Sequence, residues 1–370
     1  MRLLVDATPL LLRSAGVKTY VYYWLLHLRR AAGAHRVEMF PLIEELGAME
    51  HERSVAGRAR TAAGVALLGA CNHLGGPFLR WLGARTDIFH HASQQLRAAP
   101  RGCRTTATLY DMTCWQVPET HTPANVRANH RFAARVLRQA AGMIAISEHT
   151  REDAVRVLGL DAERIRVIYP GVAEPFFDAA PDRAVQARLG LAKPYALFVG
   201  TVEPRKNIGG LLDAWAQLPE DLRAAYDLVL AGPAGWGKTH LADRLRAAGP
   251  GVRHLGYVKE EDMAALTAGA AVFAYPSLYE GFGLPLAQAM AAGVPAVTSN
   301  VSSMPEVAGD AALLVDPRSP AEIRAALERL LESAELRAEL GARGRRRAQR
   351  YRWEAGAAES WRFFEEVMGR

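Results

Sequence analysis

Short apolar runs alternate along this chain with longer segments whose apolar positions recur every three or four residues, the pattern of strands alternating with helices. In the first half the runs Arg2 to Asp6, Val37 to Leu42, Asp87 to Ala92, Thr105 to Tyr110, Gly142 to Ile146 and Arg164 to Tyr169 read as strands. A linker follows, Pro170-Gly-Val-Ala-Glu-Pro, and the alternation restarts at Tyr195. The second series is Tyr195 to Gly200, Asp227 to Ala231, Val252 to Val258, Ala271 to Tyr275, Pro295 to Ser299 and Ala311 to Val315. Two such halves predict an α/β chain with two parallel sheets, Rossmann-like in each half. The expected domains are 1–172 and 173–350, with 351–370 as a closing helix.

Punctuation sharpens the helix ends. Ser147-Glu-His-Thr150 opens a helix with Ser147 as N-cap, and Ser319-Pro-Ala-Glu322 has capping-box form. The segment Ser54 to Ala84 is of another kind, with Val65, Phe78, Leu79 and Trp81 set among Arg58, Arg60, Arg80 and Arg85. A basic apolar helix with a tryptophan at one end suits the surface of an anionic membrane, and an ordinary packed helix with a solvated basic face accounts for the same pattern. The arginines from Arg343 to Arg352 read most simply as a solvated helix face.

Composition changes this picture little. The chain has 370 residues, 50% hydrophobic and 23% charged, which suits two domains with ample core. The formal charge of +6 comes largely from arginine in an alanine-rich chain. A basic surface suits anionic lipid or nucleic acid, and of these a nucleic-acid partner is not expected. Three cysteines, Cys71, Cys103 and Cys114, lack metal or redox spacing and fit a reducing cytoplasm. No run reaches the roughly 18 apolar residues of a spanning helix, and the N-terminus reads as a strand rather than a leader. His90 and His91 lie side by side on a strand, so at most one faces a cleft, and neither has further ligands at metal spacing.

The densest chemistry lies in Ala274 to Gly293. An apolar run precedes Glu280, Gly281 and Gly283, and Pro285 then sits where a helix accepts it, at its first position. Strand, glycine loop and helix start in that order aim free N–H groups at one point, an anion site made of backbone. A tight packing turn would explain the glycines alone. Thr201-Val-Glu-Pro-Arg205-Lys206-Asn follows a strand and Gly200, placing two cations by a second helix start. Gly232 and Gly237-Lys238-Thr239 match the spacing of a phosphate-binding P-loop, although Pro233 and Trp236 are awkward in such a cradle.

Taken whole, Glu280-Gly-Phe-Gly-Leu-Pro285 resembles the signature of the retaining nucleotide-sugar glycosyltransferases of family 4, whose fold (GT-B) is two Rossmann-like domains facing each other across a cleft. Thr201 to Asn207 resembles that family's second motif, where the lysine, often with an arginine, grips the donor diphosphate. The resemblance makes Glu280, Lys206 and Arg205 catalytic and carries Asp111 over as a substrate-site residue. Asp111 also suits a plain turn cap. Where the family has a histidine before that aspartate this chain has Tyr110, and the family's second glutamate, eight residues after the first, is Gln288. The donor site implied by the resemblance includes Gly200, Thr201 and Ser277, then Gly281, Phe282, Gly283 and Leu284, with Gln288 at the ribose. Tyr257 and Val258 would flank the base. Gly16 would close over the diphosphate from the first half, and Lys18 is a weaker candidate there.

The resemblance therefore implies transfer of a hexose from a nucleotide diphosphate sugar to a hydroxyl of a glycan or lipid-linked acceptor, as in polysaccharide or O-antigen assembly. Mannose from GDP-mannose follows from the likeness of Asp111 to Pro123 and Glu203 to Asn207. Retention of configuration, no cofactor and no metal are implied with it, as is a cytoplasmic enzyme with peripheral membrane contact. A UDP-glucose-type donor, another GT-B chemistry such as epimerisation or phosphorolysis, and a P-loop-like nucleotide binder are the alternatives.

Overall fold

Parallel strands covered on both faces need apolar side chains at every position, which is why these runs are continuous rather than alternating. The computed structural model describes all residues except 13–15, 42, 50–52, 234–242, 246–247, 250 and 370. It divides into Met1–Gly171 with Arg352–Arg370, and Val172–Tyr351. The first unit holds β1 (Arg2–Asp6), β2 (Arg36–Phe40), β3 (Ile88–His91), β4 (Arg104–Leu109), β5 (Gly142–Ala145) and β6 (Ile165–Val167). The second holds β7 (Tyr195–Val199), β8 (Asp227–Ala231), β9 (Val252–Gly256), β10 (Val272–Tyr275), β11 (Ala296–Ser299) and β12 (Ala312–Val315). β8 and β10 are buried along their whole length.

Both sheets are parallel throughout, in the orders β2-β1-β3-β4-β5-β6 and β12-β11-β10-β7-β8-β9. In each sheet the chain steps outward on one side of its first strand, then returns to that strand's other flank. The reversals fall between β1 and β3 and between β7 and β10. Ligand crevices of open α/β sheets form at the carboxyl ends of strands flanking such a reversal.

In the first unit Asp6, at the end of β1, accepts hydrogen bonds from the Thr8 amide at 3.1 Å and from the hydroxyls of Thr8 and Ser93. The closing helix Trp353–Gly369 belongs to this unit. Trp24 Nε1 donates to Ser360 Oγ at 2.9 Å, and Trp361 Nε1 donates to the Leu28 carbonyl at 3.0 Å.

His90 and His91 are both fully buried, in keeping with at most one facing a cleft. The His90 ring is held between Thr106 Oγ1 and Thr108 Oγ1 at 2.8 Å each, whereas neither His91 ring nitrogen has a hydrogen-bond partner among the described residues. Burial pushes both imidazoles down to about 3. The segment Ser54 to Ala84 is two helices, Arg58–Leu74 and Gly76–Ala84, and the stretches Arg58–His73 and Pro77–Ala84 meet at a bend of 111°. Together they have the length and composition of a broken span, while no single helix among the described residues is long and apolar enough to cross a membrane. The arginine run is not merely solvated. Arg345 donates to the Ala292 carbonyl and Arg347 to those of Glu306 and Val307, satisfying acceptors that helix ends leave open.

Candidate active site

The apolar strand β10 delivers Tyr275, fully buried, to the carboxyl edge of the second sheet, beside the end of β7. From β7 the chain passes through Gly200 and the half-buried Thr201 into a single 3-10 turn, Pro204–Lys206, stiffened by its proline. Asn207 closes that turn in the left-handed region at φ 55°. Its side chain accepts from the Gly210 amide and donates to the Pro276 carbonyl at 3.1 Å, so it starts the next helix and ties the two loops together. The Leu278 amide donates to the Arg205 carbonyl at 2.8 Å, a second tie.

On this frame the charges converge. Lys206 Nζ donates to Glu280 Oε1 and to the Tyr275 hydroxyl, each at 2.6 Å. Arg205 pairs with Glu280 Oε2 at 2.8 Å and with Glu203 Oε1 at 2.7 Å, and donates to the Tyr279 carbonyl at 2.7 Å. Glu203, Lys206 and Glu280 are all buried. Burial alone would raise the Glu280 carboxyl, but the adjacent Arg205 and Lys206 outweigh it and hold it at about 2. For Lys206 burial dominates, and the nearby Arg205 adds to it, so its pKa is lowered in spite of Glu280. Breaking one partner from such a buried set costs about 3–5 kcal/mol, since a charge is left uncompensated.

Beyond Glu280 the backbone is pinned. Its amide donates to Ser302 Oγ at 3.0 Å and its carbonyl accepts from Ser303 Oγ at 2.9 Å. Gly281 and Phe282 are buried, and Phe282 meets Tyr351 edge-on at 5.2 Å. Gly283 is the N-cap of the helix Leu284–Ala291 at φ 87°, a conformation side chains resist, and a proline stands in the first turn. Leu284 and Gln288 are half-buried on that helix. Ser277 is fully buried, and its hydroxyl has no hydrogen-bond partner among the described residues. Half-buried Tyr257 and buried Val258 follow the end of β9.

The remaining candidates belong to the first unit. Asp111 Oδ1 accepts from the Thr113 amide at 3.0 Å and its hydroxyl at 2.6 Å, a side-chain turn just before the helix Thr113–Gln116, whose N-cap is Met112. Tyr110 donates to the Ala92 carbonyl at 3.0 Å. Gly16 is exposed and is the first residue of the helix Gly16–Arg30. Lys18 is fully buried with its ammonium turned to the carbonyls of Leu12 and Arg53. Gly232 has the P-loop spacing, but a Cβ there would lie 2.1 Å from the Gly200 carbonyl oxygen, which makes close packing its task. Gly237, Lys238 and Thr239 fall outside the described residues. The described residues contain no group of three His, Cys, Asp or Glu side chains that could hold a metal ion.

Sequence reasoning missed Glu203, Tyr275 and Ser302 as members of this cluster. The one available signal was position, since Tyr275 ends an apolar run just before the loop that carries Glu280.

Two parallel Rossmann-like sheets, the second with this cluster at its reversal, are the architecture of the GT-B fold, and the comparisons agree. Over residues 183–347 the chain matches the family described as Glycosyl transferases group 1, and over 14–174 Glycosyltransferase Family 4. It is 38% identical over 257 residues to O-antigen chain mannosyltransferase B of Escherichia coli, a match covering 68% of this chain and 67% of that protein. With the MMP alpha-(1->4)-mannosyltransferase of Mycolicibacterium hassiacum identity is 32%, over 64% of this chain and 56% of that one. The match to the serotype-specific mannosyltransferase WbdA of Escherichia coli spans only 27% of that protein. Among solved structures, Anabaena HepE in complex with UDP and glucose superposes with a TM-score of 0.74 at 18% identity, covering 99% of this chain and 100% of that one. WaaG, a glycosyltransferase involved in lipopolysaccharide biosynthesis, gives 0.69 at 15% identity, covering 97% and 98%. The fold is GT-B. The chain belongs to glycosyltransferase family 4 and is a glycosyltransferase.

Proposed function

We propose that this enzyme transfers mannose from GDP-mannose, with retention, to a hydroxyl of a glycan or lipid-linked acceptor in O-antigen-type polysaccharide assembly. The observation that carries the reading is the buried cluster of Arg205 and Lys206 on Glu280 beside the helix start at Gly283. The choice of sugar is supported by the 38% identity to an O-antigen chain mannosyltransferase.

The chemical difficulty is a departing diphosphate and a cationic anomeric carbon. Lys206, Arg205 and the N–H groups at Gly283 meet the growing negative charge, fixed in advance by the ties described above. These two cations supply the charge that a metal ion would otherwise bring, so turnover proceeds without added metal. Glu280, ionised at neutral pH, exchanges its cations for the sugar hydroxyls as the diphosphate arrives and favours the oxocarbenium-like transition state. A donor phosphate oxygen takes the acceptor proton on the same face as the departing bond. Tyr257 and Val258 flank the base, and Gln288 meets the ribose through its amide. Peripheral contact with an anionic membrane at the cytoplasmic face belongs to this reading, supported by Val65 and Trp81, 44% and 47% exposed, next to the exposed Arg58, Arg60 and Arg80.

A thermal-shift panel of GDP, UDP, ADP and their sugars, with chelator present, tests it on wild type and Lys206→Ala. Stabilisation by GDP and GDP-mannose, lost in the variant, is the expected result. Stabilisation by UDP compounds instead would replace the donor, and stabilisation by ATP with magnesium alone, untouched by the mutation, would overturn the site.

A further inference from the structure

We propose that Tyr275 is a positioning residue of the donor site: its hydroxyl fixes the direction of the Lys206 ammonium and thereby how well that ammonium meets the leaving diphosphate. The inference rests on the donor-site reading above.

A lysine is a point charge on four flexible carbons, and holding it in one place costs rotamer freedom. A cation that acts on a transition state must be held before the charge appears. Glu280 holds Lys206 in the structure, but the same carboxylate is needed by the sugar once a donor is bound, so it is an unreliable anchor at the moment of reaction. Tyr275 carries no charge for the donor to claim, although its hydroxyl also interacts with Glu280 and Ser277. Its ring is fully buried at the end of β10 and stacks with Phe198 and Phe273, each at 5.7 Å and 24°. That fixed ring presents its hydroxyl to the ammonium at 2.6 Å, with Nζ 5.0 Å from the ring centroid on the hydroxyl side. Burial, then the charge of Glu280, raises the phenol well above its ordinary range, so it remains a neutral acceptor. With Tyr275 and Glu280 each taking one N–H, the third N–H of Lys206 has no partner among the described residues.

The bland alternative is that the hydroxyl merely sits beside a lysine, and that phenylalanine would serve the fold as well. A double-mutant cycle separates the two. Wild type, Tyr275→Phe, Lys206→Met and the double variant of the full chain are titrated with GDP, UDP and ADP, and turnover of GDP-mannose is followed against pH. Tyr275→Phe should weaken the nucleoside diphosphate about tenfold, the scale of a hydrogen bond to a charged group. In the Lys206→Met background the same change should cost nothing. The charged groups facing Lys206 are Glu203 and Arg205 from its own loop and Glu280 from the loop after β10, and Tyr275→Phe leaves all three in place. An accepting hydroxyl favours the protonated amine, so its removal should move the alkaline limb of kcat/KM to lower pH, which a purely structural role would not do.

Equal binding by wild type and Tyr275→Phe, an equal loss in both backgrounds, or a Tyr275→Phe chain that no longer melts cooperatively would each overturn the proposal. If Lys206→Met itself binds like wild type, the donor-site reading falls and the role of Tyr275 falls with it. If Lys206→Met loses binding while Tyr275→Phe is silent, only the role of Tyr275 falls.

Discussion

Lys206 and Glu280, separated by 74 residues of sequence, meet at 2.6 Å where the second sheet reverses its strand order. Both carboxylate oxygens are engaged, one by Lys206 and the other by Arg205. On the proposed donor site, an incoming diphosphate would compete with Glu280 for its own binding groups.

This competition separates binding from transfer. Glu280→Gln should lower transfer by about 10²–10³-fold, the scale of losing one preorganised transition-state contact. Affinity for GDP should hold or tighten, because a neutral amide competes less for the cations. Calorimetry beside initial rates decides it, and a parallel loss of both would mean that Glu280 only keeps the cations in place.

The buried histidines make the first unit sensitive to acid. His90 and His91 stay neutral in the fold down to about 3, whereas the unfolded chain takes up protons near the ordinary value of 6.5. Their contribution is complete above pH 6.5 and is lost as pH falls toward 3, at up to about 1.4 kcal/mol per pH unit for each ring. His91→Leu should raise the melting temperature more at pH 5 than at pH 8. An equal shift at both would show that the ring is not held neutral.

Two glycines should respond oppositely to alanine. Gly232 sits at φ 142° with a carbonyl oxygen 2.1 Å from where a Cβ would lie, and that oxygen is backbone. Gly232→Ala should cost about 2–4 kcal/mol in urea unfolding. Gly16 is exposed on a helix with nothing within 4 Å of a Cβ, so Gly16→Ala should be neutral or stabilise by up to about 1 kcal/mol. A loss of donor affinity on Gly16→Ala without loss of stability would instead reveal contact with the diphosphate.

Gln288 tests the ribose contact. On the helix that Gly283 caps, it offers a neutral amide where the family has a carboxylate. Gln288→Glu should tighten donor binding several-fold, since charge-assisted hydrogen bonds are about twice as strong as neutral ones. Unchanged affinity by titration removes Gln288 from the ribose.

The strands were legible because buried parallel strands leave continuous apolar runs, and the caps at Ser147 and Ser319 because a hydroxyl before a helix has one common use. Lys206 and Glu280 stood out as charges at glycine-rich strand ends. Strand order was not legible: nothing local says that β10 returns to the flank of β7, and that return brings Tyr275 to Lys206. Arg345 and Arg347 were misread for a related reason, because the carbonyls they satisfy lie on other helices about 40 to 53 residues away. His91 has no sequence signal that separates a buried unpaired ring from a cleft residue.

The helix Trp353–Gly369 has a consequence for synthesis. Its Ser360 and Trp361 complete the packing around Trp24 and Leu28, so the first unit lacks part of its core until this helix has been made. The second unit, whose residues are contiguous, has no such wait. The later-made half is thus free to mature first, and the order of translation is not the order of completion.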